Sequence, residues 1–344
     1  MLNPSLITSF TAMGFEEALK QWPGKSKTGI ELYCFMRKDC PRDALNYLAG
    51  LRSDPQARLE LVRKFLAVRR RHGITAPVVG LASFLPEISL FGPDSRNRDT
   101  AIKAITTLLW LAKHIREEIK NDPTSKLEDY PRVVEIVAGS VIKGIWRGKP
   151  TAPDDEEYPI VALVEERELA IERLAEGLAQ ACEGAGLLES DHLSLALELE
   201  PGPLFVLNSL DALKWCHRAL EKQGILPFVG FNLDIAHWHL AGIRPSDLEN
   251  EEELCRQIVH AHISDQSKGH FGDLVIGRVG FEAGGDKLAV FRQWLRFLSS
   301  VWARPRPEGA PKKTHFVSVE LEVCEDIEAV KESLEILDAL LHNR

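Results

Sequence analysis

The sequence predicts an α/β fold of the (β/α)8 TIM-barrel type, a single domain over residues 1–344 with loop insertions at the C-terminal face of the barrel. Three observations predict it. Short apolar runs of strand character alternate with amphipathic helical runs from start to finish, eight times in series. The first such run is followed by TSFTAMGF, which is not the Gly-rich phosphate loop that a doubly wound sheet usually places there. Acidic and histidine residues gather where the last four strand-like runs end, the place where barrel enzymes carry their chemistry.

The elements follow in order. LITSF (Leu6–Phe10) reads as the first strand, with a short helix from near Phe15, and GIELYCF (Gly29–Phe35) as the second. Helices then cover Asp43–Leu51 and Pro55–Arg71. The latter has Leu59, Leu61, Val62, Leu66 and Val68 at helical spacing, and the glycine of HGI closes it. APVVGLASF supplies the third strand, Val78–Phe84. A Pro- and Gly-rich loop and an amphipathic helix, Asp99–Asn121, come after it. RVVEIVAGSVI, from Arg132, is the fourth strand. Residues 146–160 after it form a charged, Pro-rich insertion without helical or strand period, on the face where loops act as lids. Helix Glu165–Ala185 leads to the fifth strand, LSLALELEPGP, and helix Leu210–Gln223 to the sixth, FVGFNLDIAHW. Helix Asp247–Gln257 precedes the seventh, VHAHISD. Helix Lys287–Trp302 and the loop ARPRPEGAPKKT precede the eighth, HFVSVELEV, and helix Ile327–Leu341 comes last.

Composition narrows the function. A 44% hydrophobic, 27% charged chain is globular, and a net charge of −9 argues against nucleic acid as a partner held by bulk electrostatics. No run of 18 apolar residues exists, so no membrane span is expected. The N-terminal residues lack a basic segment followed by a long apolar stretch, and the six cysteines are scattered without a C-x-x-C pair. A cytoplasmic protein with reduced thiols is expected. GKSKT at Gly24 resembles the tail of a P-loop, but the required earlier glycine is Leu19, and no G-x-S-x-G occurs.

Five of the eleven histidines fall between Gly230 and Gly280, at 237, 239, 260, 262 and 270, with Asp234, Asp265 and Asp273 among them. Two histidine pairs are spaced i, i+2, which on a strand puts both side chains on one face. The fifth strand ends in Glu198 and Glu200, the sixth in Asp234 and His237, the seventh in His260 and His262, the eighth in Glu320 and Glu322. Three carboxylates and one imidazole around one point suit Mn²⁺, Mg²⁺ or Co²⁺, and Zn²⁺ as an alternative. Either Glu198 or Glu200 can be the ligand from the fifth strand, and His260 can equally be a core histidine bonded to a backbone carbonyl.

LALELEPGP, NLDIAHWHLAG, HAHISD and VSVELE resemble the corresponding blocks of the xylose isomerase-like TIM barrels, a superfamily of sugar and sugar-phosphate isomerases and epimerases and of endonuclease IV. The resemblance implies one divalent metal held by Glu198, Asp234, His262 and Glu320, with His237 facing the substrate. It implies Glu198 and Glu320 as the groups that move the proton, and Glu31, in a matching second-strand block, joins Glu200, His260 and His270 as substrate-side candidates. The expected activity is a metal-dependent isomerase or epimerase of a small sugar or sugar phosphate, working by proton transfer through a metal-stabilised enediolate. A phosphate or carboxylate would meet Arg147, Lys149, Lys268 or Arg278. Two rivals stand beside it: a metal-dependent hydrolase of the endonuclease IV type and a sugar-binding barrel without turnover. The hydrolase needs more histidine ligands than the first four strands offer, since His72 and His114 read as lying in or beside helices. A homo-oligomer is compatible with the sequence, which does not choose an oligomeric state.

Overall fold

A computed structural model describes residues 2–11, 13–25, 27–33, 44–83, 90, 95–121, 130–139, 167–202, 205–267, 273–281, 284–304, 315–322, 324 and 326–342. Eight parallel strands close into a barrel in chain order: β1 (Leu2–Ile7), β2 (Gly29–Tyr33), β3 (Val78–Ser83), β4 (Val133–Val137), β5 (Ser194–Glu198), β6 (Val229–Asp234), β7 (Ile258–Ile263) and β8 (His315–Val319). Parallel strands covered by helices are buried on both faces, which is why these runs read as continuously apolar rather than alternating.

Helices α1 (Phe15–Lys20), α2 (Ala44–Leu51), α3 (Pro55–Arg71), α4 (Ser95–Lys120), α5 (Arg167–Gly184), α6 (Leu210–Lys222), α7 (Ile235–Leu240), α8 (Glu252–Arg256), α9 (Ala289–Trp302) and α10 (Ile327–His342) lie between them. Their starts obey local chemistry. Asp54 accepts the N–H of Ala57 and Pro55 occupies the first turn of α3, while Ser209 accepts the N–H of Ala212 at the start of α6. The main core lies between helices and barrel, where Phe65 of α3, Leu108 of α4, Leu174 of α5 and Trp294 of α9 are buried in one continuous cluster.

Three expectations need correction. The first strand begins at Leu2 and not Leu6, and Thr8–Phe10 is a 3-10 turn. Pairing with β8, from Leu2 opposite His315 to Leu6 opposite Val319, sets its position. Pro4 lowers strand expectation, but β2 pairs only from Ser5 onward, so no ladder bond is lost on that side. The helix expected over Asp247–Gln257 divides into a 3-10 turn, Pro245–Leu248, and α8, which starts at Glu252 with Glu252 and Glu253 in its first turn, where acids favour a helix start. The sixth strand stops at Asp234, and IAHWHL is helix α7. The insertion at 146–160, read as a lid, lies outside the described residues.

Among the described residues no helix is long and apolar enough to cross a membrane. The described cysteines 182, 216, 255 and 324 are free thiols.

Candidate metal centre and active site

The register of the barrel brings the polar ends of its strands to one place. Glu198 of β5 sits opposite Asn232 of β6, Asp234 opposite His262 of β7, and His262 opposite Ser318 of β8. One ligand atom each from Glu198, Asp234, His262 and Glu320 lies within 4.8 Å of the others. His262 is fully buried, with Nδ1 3.0 Å from Glu320 Oε2 and 3.7 Å from Glu198 Oε1.

Asp234 closes β6 and opens α7. Its Oδ1 accepts the backbone N–H of His237 at 2.6 Å, while Oδ2 is buried without a hydrogen-bond partner. An orphaned carboxylate oxygen in the interior is costly, and a cation beside it removes the cost. The donor set therefore fits a divalent ion: hard oxygens and one imidazole, from four adjacent strands.

The D-x-x-H spacing is that of an N-cap residue and the third residue of its helix. His237 consequently leans back over the strand end, its Nδ1 3.5 Å from Glu198 Oε1 and 3.6 Å from Glu200 Oε2. His237 and His239 do not share a face as a strand would have them. On a helix they lie far apart around the axis, and His239 instead stacks on Phe281 with ring centroids 4.4 Å apart. Trp238 between them is fully buried, donates its Nε1–H to the carbonyl of Asn232 and packs edge-on against Trp294.

The second pair, His260 and His262, does share a face, with ring centroids 4.9 Å apart. Beneath them lies Glu31, fully buried, its Oε2 2.8 Å from His260 Nε2 and its Oε1 3.2 Å from His262 Nε2. Ser318 also donates to Oε2, and Ser5 shares a hydrogen bond with Ser318. Glu31 and His260, read from the sequence as substrate-side groups, thus lie below the mouth of the barrel. His270 lies outside the described residues, as do Arg147, Lys149 and Lys268; Arg278 is exposed.

Two buried residues escaped the sequence reading. Asn232 reaches Glu198 Oε1 at 3.3 Å and His262 Nδ1 at 3.0 Å with its side-chain nitrogen. Glu135 of β4 is buried beside Glu198, with the N–H of Ser83 at 3.4 Å from one oxygen and the other oxygen unpartnered. A lone glutamate inside RVVEIVA was the available signal, since a strand buried on both faces has no cheap place for one.

Charge is distributed unevenly over these acids. Burial opposes ionisation of Glu198 and Glu31, but His237 and His262 beside the first, and His260 and His262 beside the second, hold both below the usual carboxylate range. Burial, with Glu198 nearby, pushes Glu135 and Glu320 well up, and burial pushes Glu200 up to about 8.

A family model described as the xylose isomerase-like TIM barrel matches residues 28–299 of this chain. The chain belongs to that family. Solved structures agree with the fold of a xylose isomerase-like barrel. A D-tagatose 3-epimerase-like protein superposes with a TM-score of 0.60 at 15% identity, covering 99% of this chain and 98% of that one. D-psicose 3-epimerase from Clostridium cellulolyticum H10 gives 0.54 at 11% identity, with 99% of each chain covered. An IOLI protein with a bound zinc atom gives 0.54 at 14% identity, covering 99% of this chain and 97% of the other. No curated protein matches the sequence significantly.

Within the xylose isomerase-like frame, two loop acids have structural tasks. Asp265 accepts the backbone N–H groups of Val279, Gly280 and Phe281 and so pins the segment that follows β7. Asp273 accepts from Ser264 and Gln266 with one oxygen and from the N–H of Glu322 with the other, tying that segment to the end of β8.

Proposed function

We propose that this protein is a divalent-metal-dependent isomerase or epimerase of a small sugar or sugar phosphate. The observation that carries the reading is the buried meeting of Glu198, Asp234, His262 and Glu320, with Asp234 Oδ2 left without a partner inside it. Of the named neighbours one is a D-psicose 3-epimerase, one is D-tagatose 3-epimerase-like and one holds a zinc atom, which supports the same reading.

Glu198, Asp234, His262 and Glu320 would hold the ion, with Mn²⁺, Mg²⁺ or Co²⁺ suited to the oxygen-rich set and Zn²⁺ an alternative. When bound, it polarises a sugar carbonyl and stabilises the negative charge that develops on oxygen during proton removal.

The chain's own residues supply the rest. Glu198 ends β5 and Glu320 follows β8, strands three apart around the barrel, so the two carboxyls would serve as separate groups, one taking a proton and the other returning one. His237, held by the Asp234 cap, has its Nδ1 near Glu198 and Glu200 and would bind a substrate hydroxyl. Glu200, beside it and nearer the mouth, is the second polar group for substrate oxygens. His72 ends α3 and His114 lies in α4, so neither adds the further imidazoles that a multinuclear hydrolase would use.

The test is incubation of the purified protein with Mn²⁺ and a panel of ketopentoses, ketohexoses and their phosphates in D₂O. Isomerase or epimerase action puts solvent deuterium on a carbon next to the carbonyl, read by NMR. Release of phosphate or of an alcohol without such exchange would replace this reading with hydrolysis.

A further inference from the structure

Glu31 has no place at the mouth of the barrel, yet three donors converge on it. Oε1 faces His262 Nε2 at 3.2 Å, and Oε2 faces His260 Nε2 at 2.8 Å and takes the Ser318 hydroxyl. Ser5 of β1, hydrogen-bonded to Ser318 at 2.6 Å, extends the chain to a fourth strand. All five side chains are buried, with Ser5, Glu31, His262 and Ser318 at 0% exposure, so this is not an arrangement that solvent could trade in and out.

The two nitrogens of His262 face different neighbours. Nδ1 faces Glu198, Glu320 and the side-chain nitrogen of Asn232, an amide donor 3.0 Å away, and Nε2 faces Glu31. A neutral imidazole carries one proton, and the nitrogen without it is the one that can donate electrons to a cation. A carboxylate under Nε2 selects the Nε2–H form and fixes the plane of the ring, which leaves Nδ1 as the unprotonated nitrogen. The Asn232 amide, a donor to Nδ1, selects the same form and would yield its place to a cation.

We propose that Glu31 is a positioning residue for the cation. It accepts the Nε2–H of His262 and thereby presents Nδ1 to the ion, an inference that rests on the metal reading above. His260 and Ser318 in turn fix the carboxylate, so β1 and β2, which give no ligand of their own, control the ligand on β7. The same atoms offer a competing arrangement, because Glu31, His260 and His262 also have ligand atoms within 4.8 Å of one another and so form a cluster that could take a second cation. The experiment separates the two.

Zn²⁺ serves as the probe, with wild type, Glu31→Gln and Ser318→Ala compared. Gln has nearly the shape of Glu but one acceptor oxygen, so it cannot accept from both imidazoles. Competition with a chromophoric chelator is expected to show one Zn²⁺ per wild-type chain and an affinity about 10- to 100-fold lower in Glu31→Gln. Long-range ¹H–¹⁵N NMR of histidine-labelled, Zn²⁺-loaded wild type should show His262 protonated at Nε2, with that proton protected from exchange. In Glu31→Gln the protection should be lost while the circular dichroism spectrum is unchanged. Ser318→Ala keeps the carboxylate and loses one of its hydrogen bonds, so a drop of roughly 5-fold is expected, and this variant carries the test if Glu31→Gln does not fold. Unchanged affinity and an unchanged His262 proton in Glu31→Gln, or unchanged affinity in Ser318→Ala, overturns the proposal. Two Zn²⁺ per wild-type chain, with the second lost in Glu31→Gln, assigns Glu31 as a ligand instead. A wild type that binds no divalent ion removes the metal reading itself, which distinguishes that failure from the failure of Glu31 alone.

Discussion

Asp234 Oδ1 accepts the backbone N–H of His237 at 2.6 Å, while Asp234 Oδ2 is buried and unpartnered, in a carboxylate that has an oxygen within 4.8 Å of ligand atoms of Glu198, His262 and Glu320. One carboxylate thus starts helix α7 with one oxygen and keeps the other free of protein partners, which on the proposed metal reading is the ligand atom. Asn caps helices about as well as Asp but carries no charge to give a cation. Asp234→Asn should therefore melt near the wild-type temperature in the presence of a chelator, yet show little stabilisation by Mn²⁺. Asp234→Ala should lose the cap as well, at about 1 kcal/mol. Calorimetric melts with and without Mn²⁺ check both. Full Mn²⁺ stabilisation of Asp234→Asn would show that Oδ2 is not a ligand.

Glu198→Gln and Glu320→Gln each keep the shape of the side chain and remove its ability to exchange a proton. If these two groups move the proton, each change should lower turnover about 100- to 10,000-fold. Measuring deuterium wash-in separately from product formation tells them apart. The group that takes the proton from the substrate controls wash-in, whereas loss of the other should leave wash-in ahead of product. Equal, small effects in both would sink their assignment.

How far the sequence reveals this centre depends on where each side chain gets its direction. Glu198, His260 and His262 take theirs from a strand, and period-two spacing at the end of an apolar run is enough to aim them. His237 takes its direction from a helix cap, and the apolar run FVGFNLDIAHW gives no sign that it changes period at Asp234 until D-x-x-H is read as a cap. Glu135 and Asn232 lie within β4 and β6, so a search confined to strand ends passes over them. Glu31 was visible in GIEL, but its depth in the barrel comes from closure of β1 between β2 and β8, a long-range pairing with no local trace.

Gly230 shows how closely that closure is fitted. A Cβ there would sit 2.4 Å from the backbone carbonyl oxygen of Gln257, just before the register between β6 and β7 shifts at Phe231 and Asn232. A backbone atom cannot turn aside as a side-chain end can. Gly230→Ala should cost about 1–3 kcal/mol in urea unfolding. Because Asp234 and His262 sit on the two strands forced apart, it should also weaken Mn²⁺ binding. A variant of wild-type stability would mean that the strands part freely at this point.

Removing the metal should expose a pH dependence whose sign follows from the buried groups. In the chelated protein burial pushes Glu200 up to about 8, and burial with Glu198 nearby holds Glu135 and Glu320 well above the usual carboxylate range. A carboxyl raised in the folded state contributes its full stability below about pH 4.5 and loses it as pH rises through the folded value. His237 and His262 are raised as well, because the attraction of neighbouring carboxylates outweighs burial, and their contribution is lost above about pH 6.5. Both sets act in one direction. The chelated protein should lose stability steadily between pH 5 and about 8, where Glu200 titrates. A bound divalent ion compensates the carboxylates and adds about 2.7 kcal/mol at a hundredfold excess over its Kd, more as pH rises and the ligands shed their protons. Melting temperatures with Mn²⁺ and with chelator should therefore diverge as pH increases from 5 to 8. Parallel curves would mean that these acids do not meet a cation.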